Sequence, residues 1–115
     1  MTDIVAPSVD PSWAAPLRRH LEGIVGLVET TSRYGPPGRV AWCFGKREIA
    51  HLHSPPLVDI RLSKAVRKTI ADDPRLVPRA GRSDWVECRM ETPGDALFVA
   101  ELIRGAAGEA RSSRR

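Results

Sequence analysis

Leu17, Leu21, Ile24, Val25 and Val28 recur at three- and four-residue intervals, with Arg18, Arg19, Glu22 and Glu29 between them. That spacing lines one side of an α-helix. Asp10 or Ser12 offers an N-cap and Pro16 suits a first turn, so the helix is expected to begin near Pro16 and to end before the breaker cluster Tyr34-Gly35-Pro36-Pro37-Gly38. Three short β-branched and apolar runs follow at 40–44, 48–53 and 57–62. Gly45-Lys46 fits a two-residue type II′ turn and Ser54-Pro55-Pro56 a rigid connection, which together predict an antiparallel meander. Ser63 then caps a helix carrying Val66 and Ile70 inside and Lys64, Arg67 and Lys68 outside, closed by Asp72-Asp73-Pro74. After Leu76, Val77 and Pro78 and a polar loop at 79–83, residues 85–90 form a fourth strand. Thr92-Pro93-Gly94-Asp95 has the pattern of a capping box before a last helix bearing Leu97, Phe98, Leu102 and Ile103. The order α-β-β-β-α-β-α predicts an α+β fold, a small antiparallel β-sheet with helices packed on one face.

A chain of 115 residues, 42% hydrophobic, is long enough for one core and too apolar to be disordered. One domain is expected over 12–105, with a flexible leader at 1–11 and a disordered basic tail at 106–115. The net charge of +4 invites a nucleic-acid reading. Four arginines from Arg104 onward, against Glu109, hold most of it and leave the body near neutral. Lys64, Arg67, Lys68 and Arg75 could line one side of the second helix, but Asp72 and Asp73 lie beside them, which weighs against nucleic acid as a partner. No apolar run approaches the roughly 20 residues of a membrane span. Cys43 and Cys88 lie far apart in strand-like runs, as packed thiols do, and the acidic start lacks the features of a secretion signal. These point to the cytoplasm.

Hairpin register turns this outline into a site. A three-residue loop at Ser54-Pro55-Pro56 places His53 opposite Leu57, His51 opposite Asp59 and Ile49 opposite Arg61. The other face then holds Ala50, Leu52, Val58, Ile60 and Leu62, the apolar set that helices should cover. A two-residue turn at Gly45-Lys46 adds Val40, Trp42 and Phe44 to the histidine face, whereas a three-residue turn sends Trp42 into the core. Histidines, a carboxylate and large aromatics on one face suit a small-molecule groove.

His51 and His53 point the same way along a strand and imidazole binds zinc, copper or iron, with Asp59 as a third ligand or as a carboxylate orienting His51. Such HxH pairs are also frequent on half-exposed strands without a metal, and none is assigned. A histidine opposite an aspartate suits a general base and equally suits a structural cross-strand pair. Arg82, in the loop before the fourth strand, could grip an anion or simply be solvated. No GxSxG, CxxC, HExxH, P-loop or GxGxxG occurs.

The ordered set Gly45-Lys46-Arg47-Glu48-Ile49-Ala50-His51-Leu52-His53, then Leu57-Val58-Asp59-Ile60-Arg61-Leu62, Val66-Arg67 and Ser83-Asp84-Trp85-Val86 resembles the luciferase-like domain family, over roughly residues 15 to 105. Asp84 stands where the family's pattern has glycine. The resemblance implies that His51, His53, Asp59 and Trp85 belong to the site. Fungal luciferases oxidise a hydroxypyrone-type luciferin with molecular oxygen and no known protein cofactor. By that analogy His51, oriented by Asp59, would take a proton from an enol or phenol. Trp42 and Trp85 would form an apolar wall, and His53 or Arg61 would stabilise the oxyanion, without a cofactor. The competing class is a binding module for DNA or protein without chemistry.

Overall fold

A computed structural model of the chain describes residues 11–34, 38–77 and 84–112. The leader 1–10, the breaker residues 35–37, Pro78 with the loop 79–83 that holds Arg82, and residues 113–115 lie outside the described residues.

A 3-10 turn at Pro11–Ala14 runs into α1 (Ala15–Leu21), with Pro16 in its first turn. The helix ends there. Residues 27–31, expected as its continuation, form β1 (Leu27–Thr31). The apolar spacing of Ile24, Val25 and Val28 was accidental: Val25 and Val28 are exposed. Gly26 turns the chain at φ 87°, where a Cβ would lie 2.5 Å from the Phe44 ring, and the following Val-Glu-Thr-Thr suits an edge strand.

β2 (Val40–Phe44), β3 (Arg47–Leu52) and β4 (Leu57–Arg61) form the expected meander. α2 (Lys64–Thr69) is capped by Ser63 Oγ, which accepts from Val66 N at 3.3 Å. β5 (Leu76–Val77) is a strand not foreseen, and β6 (Trp85–Arg89) is the predicted fourth one. All pairings are antiparallel, in the order β1-β2-β3-β4-β6-β5, so the α+β architecture holds with six strands where four were expected.

α3 (Pro93–Ser112) opens with the capping box: Thr92 Oγ1 accepts from Asp95 N at 3.1 Å, and Asp95 Oδ2 accepts from Thr92 N at 3.1 Å. It runs past residue 105 into the segment expected to be a disordered tail. Its buried stripe is Ala96, Val99, Ala100, Ile103, Ala106, Ala107 and Ala110, mostly alanines, while Leu97 is exposed. Alanine is the best helix former, and its small side chain lets α1 and the sheet approach closely. α1 and α3 thus cover the face bearing Trp42, Phe44, Ala50, Leu52, Val58, Ile60 and Cys88. Arg18 clamps Glu29 of β1 to α1 through two bonds of 3.1 and 2.6 Å. No helix among the described residues is long and apolar enough to cross a membrane.

Candidate functional site

The β2–β3 turn has two residues, since Phe44 pairs with Arg47 around Gly45 at φ 63°. The register then shifts between Trp42 and Cys43, because Trp42 pairs with Ala50 while Cys43 pairs with Glu48. Ile49 is the extra residue of a β-bulge. One extra residue reverses which face every later side chain takes. Trp42, expected on the histidine face, therefore enters the core and is 2% exposed. Ile49, expected opposite Arg61, is buried as well.

The same bulge creates the central feature of the other face. In a regular strand, residues three apart point to opposite sides. Here Glu48 and His51 meet, with His51 Nδ1 2.9 Å from Glu48 Oε2. His51 also pairs in register with Asp59, as its sequence position predicted, and Nε2 lies 2.9 Å from Asp59 Oδ2. Glu48 further accepts from Ser32 Oγ at 2.7 Å and Arg33 N at 3.0 Å. All three members are buried: Glu48 is 3%, His51 7% and Asp59 5% exposed. Both ring nitrogens of His51 are engaged, so no free nitrogen faces a substrate. This departs from the proton-abstracting role its sequence pattern suggested.

Aromatic rings roof the network. Tyr34 and Trp85 lie 6.1 and 4.7 Å from the His51 ring centroid, and 5.4 Å from each other. Arg61 sits 4.8 Å from the Trp85 ring and donates from Nη2 to Tyr34 Oη at 3.0 Å. Its Nε is buried with no hydrogen-bond partner among the described residues. His53 lies on the same face, half-buried, its Nδ1 3.2 Å from Ser54 Oγ. Of the expected site residues, the structure groups His51, Asp59, Arg61 and Trp85 around one network and sets His53 beside it. Trp42 is the exception.

Arg61 also lines a cavity of about 990 Å³ between the β3 and β4 ends, α2 and the last turns of α3. Ile49, Leu62, Ala106 and Ala110 give it an apolar floor, while Arg47, Arg61, Lys64 and Arg67 supply positive charge against Asp84 and Glu109. His51 does not line it. Elsewhere, burial pushes the Cys88 thiol up to about 12, and burial followed by the Glu48 carboxylate raises Cys43. Neither thiol is bonded to the other.

Glu48, Tyr34 and Glu87 carry parts of this face that no sequence reading assigned. Glu48 was hidden by the bulge and Tyr34 by its place in a breaker cluster. Glu87 was hidden because β4 and β6 are not joined by a hairpin, so no turn sets their register.

A family model described as "Luciferase domain" matches residues 46–106. No curated protein and no solved structure matches the chain.

Proposed function

The chain belongs to the luciferase-domain family, and from that premise we propose that it binds a small anionic molecule with an apolar or aromatic body in the cavity that Arg61 lines. The observation that carries this reading is Arg61 itself. Its guanidinium packs against Trp85 and Tyr34, the residue also lines the cavity, and among the described residues its buried Nε has no hydrogen-bond partner. Buried donors are normally satisfied, and an anionic oxygen is the acceptor a guanidinium takes best. The volume and the apolar floor with a few converging cations match ordinary small-molecule pockets.

Binding, rather than the oxygenase-type chemistry implied by the resemblance, is what this geometry supports best. A proton-abstracting His51 would need a free ring nitrogen, and both are held by carboxylates. Glu48, His51 and Asp59 instead act as a rigid buried support beneath Trp85 and Arg61.

Calorimetric titration with benzoate, salicylate and phenyl phosphate tests the proposal. At least one should bind saturably, and Arg61→Leu should weaken it by about tenfold or more, as loss of a charge-assisted bond does. Arg104→Leu, on the exposed side of α3, should leave it unchanged. Equal losses in both variants, or no saturable binding by any probe, would overturn the reading. Binding of duplex DNA with a steep salt dependence would replace it with the polyanion-binding class.

A further inference from the structure

We propose a second site on the same face, for a divalent transition-series cation held by His53, Asp59 and Glu87. One ligand atom from each of these residues lies within 4.8 Å of the others. This inference is independent of the anion-binding reading.

Register explains the convergence. Asp59 and Glu87 face each other directly across β4 and β6, a like-charge pairing that destabilises a sheet unless a cation lies between. Among the described residues their ion partners are histidines alone: His51 for Asp59 and His53 for Glu87. The pairing with His51 uses Asp59 Oδ2 and leaves Oδ1 buried with no hydrogen-bond partner among the described residues. A carboxylate oxygen that has lost its water and gained no donor is costly to keep, and a metal ion repays that cost.

The surrounding bonds fit ligation. His53 Nδ1 lies 3.2 Å from Ser54 Oγ, and in the tautomer that donates there Nε2 keeps its lone pair for a metal. His51 fixes Asp59 through the other carboxylate oxygen, and Glu48 fixes His51, so Asp59 is oriented by an outer shell. His53 Nε2 and Glu87 Oε2 are 3.9 Å apart, too far for a hydrogen bond. Two ligands at the tetrahedral angle on an ion with bonds of about 2.0–2.2 Å stand about 3.3–3.6 Å apart. The 3.9 Å gap therefore has to close by about 0.3–0.6 Å and the 4.8 Å span by more than about 1 Å, through movement of the half-buried His53 and Glu87 side chains as the ion binds. One imidazole with two carboxylates selects zinc, manganese or ferrous iron over calcium or magnesium, which prefer oxygen alone.

The test is calorimetric titration of the full chain, first stripped with a chelator, with Zn2+ and then with Mn2+. One saturable equivalent per chain is expected. His53→Ala and Glu87→Gln should each weaken it by about tenfold or more. Both residues are half-buried, so circular dichroism and the unfolding midpoint should show that the variants fold. His20→Ala, on the exposed side of α1, should bind as the parent does. Absence of saturable binding at millimolar Zn2+ and Mn2+ would overturn the proposal. So would affinity that survives both His53→Ala and Glu87→Gln, or that falls with His20→Ala.

Discussion

Replacing Glu48 by alanine tests the buried network at its least accessible member. The Glu48 carboxylate accepts from Ser32 Oγ, Arg33 N and a ring nitrogen of His51, at 2.7, 3.0 and 2.9 Å. Removing it does not cost three equal bonds. Arg33 is exposed and Ser32 half-buried, so water can replace the lost acceptor, at about 0.5–1.5 kcal/mol for each bond. His51 is buried beside the Tyr34 and Trp85 rings, so its Nδ1 loses its partner where solvent reaches least. A buried polar group left unsatisfied costs about 1–3 kcal/mol, so with the two bonds that water can replace the variant should lose a few kcal/mol in all. That is a large share of the roughly 5–15 kcal/mol that holds a domain folded. Urea unfolding followed by tryptophan fluorescence should show the midpoint lowered on the order of 2 M. Glu48→Gln keeps the volume and one acceptor oxygen, and should lose less. A double-mutant cycle between Glu48→Ala and His51→Ala should give coupling of at least about 1.5 kcal/mol. A Glu48→Ala variant within about 0.5 kcal/mol of the parent, or an additive cycle, would refute the bulge-built network.

Other expectations follow from the same packing. Because burial raises the Cys88 thiol from 9.0 to about 12, its contribution to stability is complete below pH 9 and is lost as pH rises toward 12. Near pH 10 the loss amounts to about 1.4 kcal/mol, and Cys88→Ala should lack that part of the slope in unfolding measured from pH 8 to 11. Gly26→Ala forces a β-carbon against the Phe44 ring at a positive φ, and should lower stability by about 1–3 kcal/mol in the same urea assay. Thr92→Ala removes the cap on α3 and should cost about 1 kcal/mol, seen as a lower thermal midpoint.

The meander, the Ser63 and Thr92 caps and the His51–Asp59 register were legible because each depends on local turn chemistry or on strict strand alternation. What escaped had non-local or silent causes. β1 was masked by valines that kept helical spacing by chance and are exposed. α3 extended beyond residue 105 because its buried face is written in alanine, which hydrophobic counting undervalues. Trp42 moved to the core through one bulge, a shift that the composition of β3 does not announce. Glu87 met Asp59 only through pairing between strands separated by α2 and β5. The net charge gave the least guidance. Among the described residues Arg47, Arg61, Lys64 and Arg67 gather around one cavity, a grouping that net charge does not announce.

Amide chemical-shift mapping by NMR, with salicylate titrated into the full chain, tests most directly whether the Arg61 cavity is the ligand site. Saturable shifts are expected at Arg61, Leu62, Ser63 and Arg67 and at Ala106 and Ala110 of α3, and in Arg61→Leu they should need about ten times more salicylate or fail to saturate. Shifts confined to α1 and β1, or a pattern unchanged in Arg61→Leu, would contradict it.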